Sequence, residues 1–492
     1  MRNTDYLRSE HHEFKAASDA ALANPELQVI LGRLGDSLGA KNREAWAEFS
    51  EHDLVRERAR AIKDETLANL HEHLATLEAS VLRRGGHVHW AGTGEEACQF
   101  ILDIIEKHGA RRVVKSKSMT GEEIHLNKTL EQAGVQVVET DFGEYIVQVA
   151  GHRPSHIVGP ALHLSKRQIT EILSKAAGEA LPNDREALAA FARRTLRSRF
   201  AEADVGITGA NYAIAETGSI VLVENEGNAR LTTGLPRIHI AVMGMEKVIP
   251  RLADLPYFLK VLARAATGQK MSCYTSLITG ARQKDEIDGP DEFHLIVLDN
   301  GRSRILSGQL RESLFCIRCG ACLNACPIYR TVGGHAYGGV YTGPIGAVLT
   351  PLYDGLPQNH DLPHASSLCG ACQAACPVKI QIPEMLVNLR TQLTDEPGQV
   401  GRGEALSYRM WAWMLRSPRW YGWSTWLATR TLGRWCRKTG WVRRLPLKLH
   451  GWTATRDFPA PAPERFRDWW HSNEAGQPLA DEQPAAAQEK SQ

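Results

Sequence analysis

Seven of the ten cysteines in this 492-residue chain lie between residues 316 and 376. They are Cys316, Cys319, Cys322, Cys326, Cys369, Cys372 and Cys376. A disulfide framework distributes its cysteines through a small secreted domain, whereas such crowding in a long chain indicates metal ligands. The segment is therefore predicted to fold around a metal centre. Free thiols in this number also predict a reducing, cytoplasmic compartment.

The first four of these cysteines have the ferredoxin-type spacing Cys-x-x-Cys-x-x-Cys-x-x-x-Cys-Pro, which ends at Pro327. In this motif three closely spaced thiolates bind one iron–sulfur cluster, and the fourth, before the proline, binds the other cluster. Cluster 1 is therefore predicted to take Cys316, Cys319 and Cys322, together with Cys376 from the second motif. A zinc site is the alternative, but paired motifs that each end in Cys-Pro are typical of iron–sulfur clusters.

The second motif has the spacing Cys-x-x-Cys-x-x-x-Cys-Pro, and Ser366 stands where the first cysteine of the pattern belongs. Cluster 2 is predicted to take the three remaining thiolates, Cys326, Cys369 and Cys372. It is either a 4Fe-4S cluster with a fourth ligand such as Ser366 or solvent, or a 3Fe-4S cluster. His364 and Cys273 are further candidates for the fourth ligand, although their spacing does not favour either.

The rest of the chain has the composition of a soluble globular protein, with 43% hydrophobic and 23% charged residues. A net charge of +2 excludes nucleic-acid binding by overall charge. The N-terminal residues lack the apolar stretch of a secretory signal, and no apolar run is long enough to predict a membrane-spanning helix. Length and pattern predict five regions: a helical N-terminal region (1–68), an α/β domain (69–300), a cysteine module (301–395), a Trp/Arg-rich segment (396–456) and a disordered tail (457–492).

Short β-branched runs alternate with helical stretches from about residue 86 to residue 300. Strands are predicted at HVHWA, RRVVKS and VQVVET, and helices at EEACQFILDIIEKHG and EEIHLNKTLEQAG. This alternation favours an α/β domain with a largely parallel sheet. Upstream, apolar residues at helical spacing predict a face that packs on this domain; they are Leu67, Leu70, Leu74, Leu77 and Val81.

Two features of the α/β domain suggest small-molecule binding. Gly92-Thr93-Gly94 follows a strand and opens a helix, as in a dinucleotide fingerprint, but the next strand ends in Lys115-Ser116-Lys117 rather than in the expected acid, so a simple turn is favoured. Separately, the lysines, hydroxyls and one carboxylate near strand ends are candidates for an anion site or for solvated turns. They are Lys115, Lys117, Ser118, Glu216, Thr217 and Ser219. The irregular spacing of His152, His156 and His163 favours ordinary histidines over metal ligands.

Several segments together resemble the iron–sulfur protein family of the bacterial three-component lactate-utilisation systems over nearly the whole chain. The resemblance rests on KSKSMTGEEIHLN, ITGANYAIAETGSIVLVENEGNARL, HIAVMGMEKVIP, CIRCGACLNACPIYR and SLCGACQAACPVKI. It implies a LUD-type domain, related to sugar-phosphate isomerase and CoA-transferase-like folds, followed by an α-helical ferredoxin domain. It also implies a cysteine-rich oxidoreductase subunit and a second LUD-type protein as partners. The shortened second motif belongs to the family pattern.

Ten of the twelve tryptophans lie at or after Trp411, and the stretch from Ser407 to Arg456 contains many basic residues and no acidic ones. Ser417 and Pro418 predict the start of a helix. On such a helix arginines project between tryptophans, whereas a membrane-surface helix separates them. Packing against a partner protein and peripheral attachment at the inner face of a membrane are both open. Nucleic-acid binding is not expected, because no recognised module accompanies the charge.

The resemblance predicts an electron-transfer subunit of a complex that oxidises L-lactate to pyruvate. No catalytic constellation is evident, so whether the chain is itself an enzyme stays open. One alternative is the iron–sulfur subunit of a glycolate or other 2-hydroxy-acid dehydrogenase, although such chains continue into cysteine-rich repeats and only Cys436 follows here. Further alternatives are a CoA-transferase-like or isomerase-like enzyme with redox-sensing clusters, and a binding or regulatory protein.

Overall fold

The computed structural model describes residues 13–395, 401–435, 440–445 and 447–473. These residues form two compact units, with the division between residues 395 and 401. The first unit contains the N-terminal helices, the α/β domain and the cysteine module. The second contains the Trp/Arg-rich segment. Cys436 and residues 474–492 of the predicted tail lie outside the described residues.

The N-terminal region is helical. Its helices are α1 (Phe14–Leu22), α2 (Pro25–Ala47), α3 (His52–Ala68) and α4 (Leu70–Arg83). Helix α2 begins with Pro at its first position, and the Asn24 side chain accepts a hydrogen bond from Leu27 N at 3.1 Å. The predicted apolar face is confirmed: Leu70, Leu77 and Val81 are buried against the α/β domain. These helices are therefore part of the first unit's core.

The α/β domain contains two sheets. Its strands are β1 (His87–Ala91), β2 (Arg112–Lys115), β3 (Gln136–Glu139), β4 (Val205–Thr208), β5 (Tyr212–Ile214), β6 (Ser219–Glu224), β7 (Ile238–Gly244), β8 (Val248–Ile249), β9 (Tyr274–Ile278) and β10 (Glu292–Leu298). The larger sheet has the order β1-β10-β7-β4-β2-β3 and is parallel throughout. The smaller one has the order β8-β5-β6-β9 and is mixed.

Helices cover the parallel sheet. They are α5 (Gly94–Lys107), α6 (Met119–Glu123), α7 (Leu126–Gln132), α8 (Phe142–Ala150), α9 (Lys166–Ala177), α10 (Arg185–Ala201), α11 (Asn228–Gly234) and α12 (Leu255–Thr267). The predicted α/β alternation is confirmed. One predicted helix, EEIHLNKTLEQAG, is instead divided into α6 and α7, because His125 adopts a left-handed conformation with φ of 52°.

The cysteine module is built from short helices and shares a core with the α/β domain. The helices are α13 (Arg302–Leu306), α14 (Ala321–Ala325), α15 (Tyr329–Val332), α16 (Gly343–Asp354), α17 (Ala371–Ala375) and α18 (Ile382–Asp395). One continuous cluster of buried side chains joins Tyr212 and Phe258 of the α/β domain to Leu323, Leu349 and Leu386 of the module. The module is therefore packed on the α/β domain rather than tethered to it.

The second unit contains α19 (Arg402–Arg416), α20 (Pro418–Trp435), β11 (Trp441–Val442), β12 (Phe458–Pro459) and α21 (Phe466–Asn473). Helix α20 begins at Pro418, as predicted. The described part of the predicted tail differs from expectation: it forms β12 and α21, where the Phe466 ring lies 5.8 Å from that of Trp469. No helix among the described residues is both long and apolar enough to cross a membrane.

Candidate iron–sulfur site

The two cysteine motifs fold into equivalent loops. Arg318 and Leu368, which precede corresponding cysteines, have positive φ angles of 60° and 55°. The following glycines, Gly320 and Gly370, have φ of 76° and 79° and cap α14 and α17. This left-handed turn brings the thiols on both sides of it toward one point, and glycine accommodates it without strain. The similarity of the two sequences is thus matched by similarity of the two backbones.

Ser366 takes the place of Cys316 in the second loop. Arg318 N donates to Cys316 Sγ at 3.4 Å, and Leu368 N donates to Ser366 Oγ at 3.1 Å. The same backbone amide therefore holds the serine oxygen where the first loop holds a sulfur. Among the other candidates, His364 lies in a turn that precedes Ser366, and Cys273 is exposed beside β9.

The first loop and the last cysteine line one small cavity. Its wall contains the four thiols predicted for cluster 1 together with apolar side chains; the residues include Cys316, Cys319, Cys322, Cys376, Ile157, Ile345 and Ile382. Burial raises the pKa of the Cys319 and Cys322 thiols, and the negative charges of neighbouring thiolates raise it further. Cations are needed to keep such a set ionised. A buried set of four soft thiolates is the donor set of an iron–sulfur cluster, so the chemistry of these residues fits that group.

The remaining thiols form a second, more exposed group. Burial raises the pKa of Cys372 to about 11, and the charge of Cys326 adds to the effect, which indicates that these two thiols are neighbours. Cys369 also contributes to the raised pKa of Cys326. In contrast, the pKa of exposed Cys369 is lowered, chiefly by the backbone N–H of Ala371. The three thiols predicted for cluster 2 therefore influence one another's pKa, and one of them is exposed.

A buried network of charges lies next to the first cavity. Arg302 contacts Glu246 at 2.6 Å and Glu123 at 2.8 Å, and Arg318 contacts Glu246 at 3.4 Å. Burial alone would raise the pKa of Glu246, but the two guanidinium groups hold it at about 2. Lys63 donates to the backbone oxygen of Glu246. The two arginines balance the two glutamates.

Two buried lysines add positive charge to this network. Burial lowers the pKa of Lys63 to about 7 and that of Lys247 to about 8, while the thiolate of Cys316 opposes the change. An anionic cluster would favour the protonated lysines in the same way. Sequence reasoning missed this network, because its members come from α3, the α/β domain and the first motif, and no spacing connects them.

Only some of the candidate anion-binding residues are brought together. Lys115 is buried in ion pairs with Glu139 at 2.7 Å and Glu122 at 3.3 Å. Lys117 faces a large cavity that is described below. Glu216 lies in the turn between β5 and β6 and accepts a hydrogen bond from Leu252 N at 2.9 Å. The lysines and the Glu216 turn therefore do not form one site.

The glycine loop before α5 closes on its own helix. Thr93 Oγ1 accepts from Glu96 N at 3.2 Å, and Glu96 Oε2 accepts from Gly92 N at 2.7 Å. These bonds cap the helix, and the carboxylate occupies the position at which a dinucleotide phosphate would bind. The loop is a strand–helix turn.

His156 supports the first cysteine loop. Its Nδ1 accepts from Val158 N at 3.0 Å, and Nε2 lies 3.1 Å from Asn324 Oδ1. Because Nδ1 is an acceptor, Nε2 carries the proton and donates to Asn324. His152 and His163 form a separate contact at 3.1 Å. His152, His156 and His163, which the irregular spacing identifies as ordinary histidines, therefore do not converge on one point.

Three family models match the chain. A LUD domain matches residues 74–298, a 4Fe-4S dicluster domain matches 312–380, and the C-terminal domain of lactate utilisation protein B matches 390–475. The protein named lactate utilization protein B from Oceanobacillus iheyensis is 46% identical over 93% of this chain and 94% of its own length. The chain belongs to the lactate utilisation protein B family. The family resemblance expected from the sequence is confirmed.

Other lactate utilisation B proteins are equally similar. Those of Geobacillus kaustophilus and Shouchella clausii are each 47% identical, over 93% and 90% of this chain and 94% and 92% of their own lengths. A solved DUF162 family structure from Deinococcus radiodurans covers 46% of this chain and 98% of its own, at 17% identity and a TM-score of 0.27. The dicluster match and the crowded cysteines support an iron–sulfur cofactor in this family member.

Proposed function

We propose that this chain is the electron-transfer subunit of a complex that oxidises L-lactate to pyruvate, and that it carries two iron–sulfur clusters. The observation that carries the proposal is the convergence of Cys376 with three cysteines of the first motif on one buried cavity. Crossed ligation of this kind is the hallmark of two-cluster modules that pass electrons onward. The names of the family relatives supply the substrate.

In this proposal cluster 1 is a 4Fe-4S cluster held by Cys316, Cys319, Cys322 and Cys376. Cluster 2 is held by Cys326, Cys369 and Cys372, and is 4Fe-4S with Ser366 or solvent as fourth ligand, or 3Fe-4S. Each cluster, when bound, supplies one-electron redox chemistry. The chain excludes water from the first cavity with isoleucine side chains and donates backbone N–H groups to sulfur, as Ile380 N does to Cys376 Sγ at 3.4 Å.

The exposure of the thiols distinguishes the roles that we propose for the two clusters. Cys369 is exposed, whereas Cys319 is buried, so cluster 2 lies nearer the surface than cluster 1. We therefore assign cluster 2 to exchange with a partner protein, and cluster 1 to the interior beside the LUD-type domain. The partners proposed are a cysteine-rich oxidoreductase subunit and a second LUD-type protein. The location proposed is the cytoplasm, and the exposed tryptophans of α19 and α20 offer a surface either for a partner protein or for the inner membrane face.

The test is anaerobic reduction by substrate. The cluster-loaded chain is mixed with its natural partners and L-lactate, and cluster reduction is followed by electron paramagnetic resonance. We expect a reduced-cluster signal that is lost in Cys319→Ala and kept in Cys273→Ser, a matched control because Cys273 is exposed and outside both thiol groups. If chemically reducible clusters stay oxidised with L-lactate and all partners, the substrate is wrong. Reduction by glycolate would then point to another 2-hydroxy-acid dehydrogenase.

A further inference from the structure

A cavity of about 300 Å³ opens at the carboxyl ends of the central strands. It is lined by the segments that follow β2 and β4, including Lys117, Ser118 and Gly209. Strands β2 and β4 are adjacent in the sheet. From β2 the chain continues to β3 on one side, whereas from β4 the next strand of this sheet is β7 on the other side, so the connections of the two strands run in opposite directions. Ligands of open α/β sheets bind in the crevice at such a switch point.

The two segments approach each other closely at this crevice. A Cβ atom on Gly209 would lie 2.8 Å from Ser118 Oγ, so only glycine allows the approach. Ser118 Oγ also accepts from Gly121 N at 3.0 Å and begins α6. The wall of the cavity is therefore a built feature of the fold, and its volume falls at the lower end of the range for small-molecule sites.

Two buried nitrogen atoms of basic side chains in this wall have no hydrogen-bond partner among the described residues. They are Nζ of Lys117 and Nη1 of Arg318. The side chain of Arg318 is only 7% exposed. By comparison, the neighbouring Lys115 is fully paired with two glutamates. A buried N–H group without an acceptor is costly, and a ligand carboxylate oxygen would remove that cost.

The same wall also offers acceptors. Asp141 Oδ1 accepts from Glu144 N at 3.1 Å, and Glu226 Oε2 accepts from Phe142 N at 3.0 Å, which fixes both carboxyl groups at the cavity. Their second oxygens are suited to accept from a ligand hydroxyl. Apolar side chains, among them Ile157 and Leu262, complete the wall. The cavity therefore combines cations for a carboxylate, acceptors for a hydroxyl and room for a short carbon chain.

We propose that this cavity binds a small 2-hydroxy or 2-oxo carboxylate, with its carboxylate between Lys117 and Arg318. The choice of this class within small organic anions rests on the proposed function, because lactate and pyruvate belong to it. The two unpartnered nitrogens by themselves favour an anion of any chemistry. The test therefore has to distinguish binding of a small carboxylate from binding of inorganic phosphate.

Binding at this site is coupled to cluster 1 by position. Cys319 lines both this cavity and the cavity of the four thiols, and Arg318 precedes it in the chain. An anion in the larger cavity disfavours the additional negative charge of a reduced cluster. By reciprocity, reduction of cluster 1 weakens the binding of the anion. The LUD-type domain would thus sense the redox state of the module that is packed on it.

The test uses the cluster-loaded full chain without partners. Isothermal titration with L-lactate, pyruvate, acetate and inorganic phosphate measures binding to the oxidised and the dithionite-reduced protein. We expect L-lactate or pyruvate to bind more tightly than acetate and phosphate, and to bind the reduced protein at least fivefold more weakly, about the lower end of the usual coupling between sites. Lys117→Met should weaken binding at least tenfold, whereas Lys175→Met, an exposed lysine on α9, should not.

A second variant protects the test against misfolding. Ala266→Leu fills the cavity from α12 and leaves both cations in place, so it should also abolish binding while the clusters remain reducible by dithionite. Phosphate binding without carboxylate binding would overturn the ligand class. The absence of any binding at millimolar concentrations, or equal binding in Lys117→Met, would overturn the site. Reduction of the clusters by L-lactate through the partners would still support the proposed function in either case.

Discussion

The first and second cysteine loops share a backbone and differ in their surroundings. Both turn through a left-handed residue and a glycine before a five-residue helix. The first loop is buried, and Arg318 joins it to the charge network around Glu246. At the corresponding position the second loop has Leu368, and its Cys369 is exposed. Local sequence therefore specifies the shape of a cluster loop, whereas the packed domain specifies its electrostatics and its access to solvent.

The largest expected difference between the loops concerns cluster retention. Cys319→Ala removes a buried thiol from the first cavity, so cluster 1 should be lost and the iron content should fall by about half. Iron analysis after anaerobic purification checks this, with Cys273→Ser as the control that keeps full iron. Full iron content in Cys319→Ala would show that the four thiols of the first cavity do not bind one cluster.

A substitution at Ser366 can give the second loop the same thiols as the first. Ser366→Cys restores the missing thiol of the second motif, so cluster 2 should resist the loss of iron during mild oxidation. Ser366→Ala, which removes the acceptor of the Leu368 amide, should not give that resistance. The signal of a 3Fe-4S cluster in electron paramagnetic resonance, recorded against oxidant added, measures the difference. Equal resistance in the two variants would mean that position 366 does not face cluster 2.

Arg318 in the first loop corresponds to Leu368 in the second, and exchanging it tests what this difference does. Arg318→Leu copies Leu368 and removes a buried positive charge next to Cys316, so the reduced form of cluster 1 is stabilised less. Its midpoint potential should fall on the order of tens of millivolts. Redox titration followed by electron paramagnetic resonance checks this. The midpoint potential of Arg318→Lys should fall less. Arg311 is a more exposed arginine paired with Asp64, so Arg311→Leu should leave the potential unchanged. An unchanged value in Arg318→Leu would exclude the network as its determinant.

The smallest expected effect is a pH dependence that comes from the histidine supporting the first loop. Burial lowers the pKa of His156 to about 4, below its ordinary value near 6.5. The unfolded chain therefore takes up a proton that the folded chain does not, and stability falls as the pH decreases from 6.5 toward 4. Between pH 6.5 and 5 this group contributes about 2 kcal/mol of that loss.

His156→Gln isolates this contribution, since glutamine can still donate to Asn324 and does not titrate. The variant should lose less stability than the natural chain as the pH is lowered, measured by thermal unfolding of the cluster-loaded protein at pH 7 and pH 5. Other buried histidines, such as His239, contribute equally to both proteins. Parallel pH profiles for the two proteins would contradict the assignment.

Much of the fold could be predicted from patterns that are local in sequence. The strands HVHWA and VQVVET, the helix that follows the first of them and the apolar face ending at Val81 are all present. Each depends on the period of its own side chains. The division between α6 and α7 was missed, because the left-handed conformation of His125 has no signal in hydrophobic periodicity. The described part of the predicted tail also differs, since aromatic contacts order α21.

The candidate site likewise has features that the sequence predicts and features that it does not. Spacing assigns the thiols to two groups, because short loops can direct only certain cysteines to one point. Lys115 is the last residue of β2 and Lys117 lies just after the strand. The sequence alone did not distinguish the two lysines. The first is paired with Glu139 and the second faces a cavity without a partner. That difference depends on neighbours from β3, β4 and the cysteine module.

The sequence by itself determined the family, the cysteine motifs and the alternation of strands and helices. These features are encoded in short periods and spacings that do not depend on distant residues. Only the tertiary structure placed Glu246, Arg302 and Arg318 in one buried network and set the ligand cavity beside Cys319. Burial and Coulomb interactions depend on distance in space, and separations of 56 and 72 residues along the chain give no indication of it.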